Sequence, residues 1–288
     1  MITFKRILFP VDFSERSAAV VPSVRAMVER FGSELMILHV VDLLPAVGIA
    51  PPEAAAWATL MGAERLRENG KIALERFVAR EFPGLQVKAE SAEGDPATLI
   101  VEYARDHQAD LIMMPTSGRG PFRRLLLGSV TAKVLHDTAT PVWTGAHAAE
   151  IAAHSPDRWK HALCAIGNDP HDLPVLRWAA EFACEEKLDL RLVHAVRGAE
   201  GCEDDASLQE FLFRVARERI GKLQAAAGTD FEVCMHAGHP AHVVHQAAAG
   251  HSADIVIVGR GLLKTALGRL RTGIYEIIRE SPCPVISV

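Results

Sequence analysis

Between Met113 and Leu135 the chain reads MMPTSGRGPFRRLLLGSVTAKVL. An apolar run stops at Pro115 and a Gly- and Arg-rich loop follows. Gly128-Ser129 then opens a stretch with helical spacing at Val130, Val134 and Leu135. This pattern suits an anion. Gly128 lets the main chain approach a bound group. The first amides of a helix have no carbonyl behind them, and the helix dipole puts partial positive charge there. Ser129 is placed as N-cap, Ser129 and Thr131 offer hydroxyls, and Arg119, Arg123 and Arg124 offer forked donors matched to phosphate. The residue types read as a phosphate site. They read equally as a Ser-capped glycine turn with solvated arginines. The stretch is not a Walker loop, since no GxxxxGK[ST] occurs. Nor is it a dinucleotide fingerprint, because Gly118 and Gly120 lack the third glycine and follow a late strand.

The elements that must position this loop come from hydrophobic periodicity. Residues 6–11, 34–41, 85–90, 110–115 and 141–145 read as strands, several of them apolar without alternation. That is the signature of a parallel sheet covered on both faces. Between the first two, Val20, Val24, Met27, Val28 and Phe31 recur at helical spacing, with Ser14 as N-cap and Pro22 as a source of a kink. Another helix is expected over 96–107. The order alternates strand and helix throughout, as in a doubly wound α/β unit.

The second half repeats the first. Strands are expected over 161–167, 188–196, 230–236, 253–259 and 284–288. AEGDPATLIVEYARDHQADLIMMP lies against HAGHPAHVVHQAAAGHSADIVIVG, with Gly94 against Gly238 and Asp110 against Asp254 at one interval. TPVWTG answers CPVISV. The expected fold is α/β: two tandem doubly wound domains, each a five-stranded parallel sheet with helices on both faces. Their bounds are placed at 1–147 and 158–288, joined by a stretch without clear periodicity. The copies differ at 42–64, where the first carries a longer segment with Pro45, Pro51 and Pro52. It reads either as a plain surface loop or as a flap over a ligand crevice.

Bulk properties set limits. The chain has 288 residues, 49% hydrophobic and 23% charged, so a sizeable core is expected. A net charge of −5 argues against broad nucleic-acid binding. No apolar run reaches bilayer length, and no signal peptide is read at the start. Five scattered cysteines without a CxxC pair fit a reducing cytoplasm.

The whole chain resembles a tandem universal stress protein. ILFPVDFS (7–14), LHVV (38–41), EGDP (93–96), ADLIMMPTSG (109–118) and the stretch 118–143 carry the likeness. The family's nucleotide loop reads G-x2-G-x9-G-[ST], and Gly118, Gly128 and Ser129 match its later positions. Pro115 stands at the first glycine, which removes one backbone N–H. The resemblance implies that the N-terminal domain binds ATP or a related adenine nucleotide, with or without Mg²⁺. The site would comprise Pro10, Val11, Asp12, Val40, Met114, Pro115, Gly118, Arg119, Gly128, Ser129, Val130 and Thr131. Asp12 and Val40 take the adenine side; otherwise Asp12 is a helix-terminal charge and Val40 is core. The resemblance also implies a stress-response role linked to nucleotide-dependent shape change, and pairing of last strands. Here that becomes an internal pseudo-dimer, with a homodimer and an unknown protein partner as further expectations. No DNA or membrane partner is expected.

In the second copy Gly259, Gly261, Arg271 and Thr272 form the corresponding candidate anion site, with Arg271 in the place of Gly128 and Asn168 in that of Asp12. This half reads as a scaffold that has lost nucleotide, or as a site for a different anion. A bulky residue at a cradle position favours the scaffold. His236, His239, His242 and His245 recur three apart. At most His239, His242 and His245 could share a metal ion, and capping or exposed roles are the simpler reading. No catalytic set stands out. A slow ATPase or nucleotidyl-transfer enzyme, and a ligand-free scaffold, remain the rival functions.

Overall fold

The computed structural model describes residues 2–42, 52–116, 127–145, 158–167, 172–199, 206–260 and 272–288, without the side chains of 51–61, 63 and 272. The first half runs β1 (Arg6–Val11), α1 (Glu15–Phe31), β2 (Glu34–Val41), α2 (Pro52–Glu81), β3 (Val87–Glu93), α3 (Pro96–Asp106), β4 (Leu111–Pro115), α4 (Ser129–Asp137) and β5 (Val142–Gly145). The second half runs β6 (His161–Ala165), α5 (Leu173–Glu186), β7 (Asp189–Val196), α6 (Ala206–Ala227), β8 (Val233–Ala237), α7 (Pro240–Gly250), β9 (Ile255–Val258), α8 (Thr272–Glu280) and β10 (Val285–Ser287).

The two halves share one ten-stranded sheet, in the order β3-β2-β1-β4-β5-β10-β9-β6-β7-β8. Every neighbouring pair is parallel except β5 with β10. Trp143 lies opposite Ile286 at that junction. Around them the Thr144 hydroxyl donates to the Val285 carbonyl and the Ser287 hydroxyl to the Val142 carbonyl, both at 3.3 Å. The two bonds are mates about a pseudo-twofold axis.

The sheet has a core on each face, and each core runs through both halves. One packs α1, α2, α5 and α6 through Val24, Phe77, Phe82, Phe182 and Leu223 against Ile7, Phe9, Trp143 and Ile257. The other packs α3, α4, α7 and α8 through Ile100, Leu135, Val244 and Ile278 against Leu8, Leu38, Val256 and Val285. Alternate residues of each strand feed opposite cores, which is why the strands read as unbroken apolar runs.

Local signals set the element ends. The Ser14 hydroxyl accepts from the Ser17 amide at 3.2 Å and caps α1. The helix continues through Pro22 and stops at Gly32, whose φ is +60°. The repeat is visible in the backbone too: Gly94 and Gly238, matched in sequence, have φ of 141° and 139°. A Cβ on Gly94 would sit 3.2 Å from Leu99. The matched Asp110 and Asp254 bind the amides of Arg6 and His161, at 2.9 and 3.0 Å, and so tie β4 to β1 and β9 to β6.

Three expectations need correction, β8 among them: expected over 230–236, it spans Val233–Ala237. β3 is shifted from 85–90 to Val87–Glu93, because β2 offers ladder partners as far as Val41 and the apolar run does not mark that limit. The segment expected as loop or flap over 42–64 is helical from Pro52, the opening residue of α2. Proline suits a first helical position because that N–H needs no partner. Residues 43–51 lie outside the described residues.

Candidate functional site

In each half the strand order reverses between the first and fourth strands, and the connections leave these two strands on opposite sides of the sheet. The crevice at their carboxyl ends is the ligand position of such sheets. In the N-terminal half β1 delivers Pro10, Val11 and Asp12 to it, β2 delivers Val40, and β4 delivers Met114 and Pro115.

Gly128 is buried and extended, with φ −64° and ψ 145°. Any residue adopts that conformation, so glycine contributes the lack of a side chain and not a special dihedral. Its N–H donates to the Thr116 carbonyl at 2.8 Å. Gly128, not Ser129, is the N-cap of α4, and having no side chain it makes no side-chain cap bond. Ser129 is the first helical residue and is exposed. Its amide, with those of Val130 and Thr131, opens the helix. Thr131 is buried, and its hydroxyl donates to the Pro115 carbonyl at 3.1 Å. That proton braces β4 against α4, so Thr131 contributes its amide rather than its hydroxyl. Gly118, Arg119, Arg123 and Arg124 lie outside the described residues.

Asp12 Oδ1 accepts from the Ser14 amide at 3.0 Å, the Ser14 hydroxyl at 2.6 Å and the Ser17 hydroxyl at 2.5 Å. The helix-terminal reading of this carboxylate holds in the structure. His39 Nδ1–H donates to the Val11 carbonyl at 2.9 Å, and its ring packs on Phe13 at 4.3 Å.

The C-terminal half has the same bond. His194 Nδ1–H donates to the Ile166 carbonyl, again at 2.9 Å. These twin histidines fix the correspondence: Val11 matches Ile166, so Asp12 matches Gly167 and not Asn168. Asn168 itself lies outside the described residues. A carboxylate nonetheless stands at this place. A Cβ on Gly167 would lie 2.5 Å from Asp172 Oδ2. Asp172 precedes α5 without capping it through its side chain. Sequence reasoning missed Asp172 because the side chain arrives from five residues downstream. The LHVV and VHAV strands held the signal, since aligning their histidines puts a glycine where an aspartate was expected.

Here the crevice is a cavity of about 920 Å³. Ile166, Val193, Val196, Val258, Ile274 and Ile277 line it, with Asp172, His194, Gly259, Arg197 and Arg219. His194 is 6% exposed. Burial lowers its pKa, outweighing the Ile166 carbonyl and the Asp172 charge, which raise it. A neutral ring with Nδ1–H committed leaves Nε2 as an acceptor, and Nε2 has no partner among the described residues. Ile274 occupies the helix position held by Thr131 in the other half. Gly261 and Arg271 lie outside the described residues, and Thr272 opens α8.

The candidate metal histidines are held apart. His239 Nε2 lies 3.2 Å from Glu276, His242 Nε2 lies 2.8 Å from Gln246, and His245 Nδ1 donates to the Glu280 carbonyl at 2.6 Å. Among the described residues no three His, Cys, Asp or Glu side chains converge on one point. Among the described residues Cys164, Cys184, Cys234 and Cys283 form no disulfide.

Two side chains reach from the second half to α4 and the turn that follows it. Arg260, 6% exposed, donates to the Thr138 and Thr140 carbonyls at 2.7 and 3.0 Å, with longer contacts to Leu135 and Ala139. Tyr275 donates to the Ala132 carbonyl at 3.1 Å. The guanidinium thus caps the carbonyl end of the helix whose amide end opens the first crevice.

A doubly wound fold used twice, its halves sharing one sheet, defines the class of tandem α/β proteins to which this chain belongs. The chain belongs to the universal stress protein family, whose model matches residues 3–144 and 158–288. Universal stress protein MJ0531 of Methanocaldococcus jannaschii is 36% identical over 141 residues, 48% of this chain and 80% of its own. Universal stress protein Rv2005c of Mycobacterium tuberculosis is 26% identical over 259 residues, 85% of this chain and 84% of its own. In fold, the chain is similar to a universal stress protein from Archaeoglobus fulgidus, with a TM-score of 0.67, 24% identity and coverage of 100% and 97%. No helix among the described residues is long and apolar enough to cross a membrane.

Proposed function

We propose that the N-terminal repeat, set at 1–147, binds ATP or a related adenine nucleotide and that occupancy biases a partner surface in a stress response. One observation carries this reading: α4 begins at a buried residue without a side chain, directly beside the carboxyl ends of β1 and β4. The amides of Ser129, Val130 and Thr131 suit the phosphates, with the helix dipole behind them. Gly118 and Arg119 would complete the loop, as the family pattern implies. Asp12 and Val40 stand at the strand ends where the base and ribose would lie. The cap bonds use one oxygen of Asp12 three times, and a carboxylate has capacity for further donors. The nucleotide supplies a charge that the loop and helix must follow, and this makes occupancy a signal.

Calorimetry with ATP, with and without Mg²⁺, tests the proposal on the full chain. Gly128→Ala is the discriminating variant. Its backbone suits alanine, so melting temperature should hold or rise slightly. ATP affinity should fall by about 2 kcal/mol as the methyl displaces the phosphates from the main chain. No ATP binding by the parent chain would favour the ligand-free scaffold. Turnover of bound ATP above background would favour the slow ATPase.

A further inference from the structure

The second crevice keeps the carboxylate and the carbonyl-bound histidine of the first, but its other walls differ. The first offers donors at the opening of α4. In the second, Arg271 stands in sequence where Gly128 does, and Ile274 replaces Thr131. Among the cavity's polar groups are two acceptors, the Asp172 carboxylate and His194 Nε2. His194 is nine-tenths buried, lines the cavity and has no partner for Nε2 among the described residues. An acceptor that faces the cavity can take a donor from a ligand. The remaining walls are aliphatic, which suits an apolar body. Phe211 lines the cavity and is 49% exposed, so apolar surface continues to the rim. The cations among the lining residues, Arg197 and Arg219, are both exposed.

We propose that the C-terminal repeat binds an amphiphilic anion: an apolar chain or ring body with a hydroxyl or amine donor at its buried end and an acidic group at its outer end. The donor meets His194 Nε2 and Asp172, the body fills the aliphatic cavity, and the acid reaches Arg197 and Arg219. The inference does not rest on nucleotide binding by the N-terminal repeat.

The test uses ω-hydroxydodecanoate and dodecanoate as probes, titrated calorimetrically into the full chain with and without saturating ATP. The hydroxy acid should bind at one equivalent, and the plain acid about tenfold more weakly, the worth of one buried hydrogen bond. Arg219→Glu, on an exposed side chain, should weaken both severalfold. His194→Phe keeps an aromatic ring and removes the acceptor, so the preference for the hydroxy acid should shrink towards parity. Gly128→Ala should leave acid binding unchanged, which separates this site from the nucleotide reading. Equal affinity of the parent chain for both acids, displacement by ATP, or no binding of either acid would overturn the proposal.

Discussion

Single residues show how far burial outweighs charge. His194 has a lowered pKa because its buried ring resists protonation. The unfolded chain, with an ordinary histidine near 6.5, takes up a proton first as pH falls. His194 therefore contributes stability that is fully present above about pH 6.5 and is lost as pH falls from there through the lower folded value. Urea midpoints measured between pH 7.5 and 5 should fall, and His194→Phe should flatten the part of that slope due to this ring. Asp12 makes a different prediction. Asp12→Ala removes the acceptor of three bonds at the start of α1 and should cost about 1–2 kcal/mol in urea unfolding. Much of this scale was legible beforehand. Ser14 as cap follows from its type and place. Asp172 did not, because nothing in a linear string shows a side chain folding back over a glycine. Ser129 as cap failed by one position because Gly128, fixed by its bond to Thr116, already holds that place.

At the scale of elements, α4 is held at its carbonyl end by the other half of the chain. Arg260→Met keeps the stem and removes the cap, leaving several carbonyls without their buried donor. Stability should fall by about 2–4 kcal/mol by chemical denaturation. If α4 presents phosphate-binding amides at its other end, ATP affinity should fall as well, though Arg260 lies in the second repeat. Comparison with Tyr275→Phe, which loses one bond worth about 1 kcal/mol, separates helix anchoring from general loss of stability. Strand and helix order was readable from periodicity alone. The limits of β3 were not, since a strand ends where its neighbour ends, and an edge strand with an exposed pattern carries little hydrophobic signal. The role of Arg260 was unreadable for the same reason: its partners lie far upstream in the sequence.

At the scale of the molecule, the junction of β5 and β10 turns two sheets into one. A chain ended at His147 would bare the β5 edge and Trp143, which is fully buried in the intact protein. Such an edge recruits another. Light scattering of that half should show a dimer, and in a Trp57→Phe background dilution to monomer should shift Trp143 emission to the red. The repeat itself was plain from matched Gly94 and Gly238, and their shared backbone conformation explains why both are glycine. A twofold assembly of separate chains must make every substitution twice, once on each side. Fusion removes that coupling, so one side can drift while the other is held by selection. If both crevices bind the ligands proposed, a single polypeptide answers two unrelated metabolites, and the shared helix anchor gives each a route to report on the other.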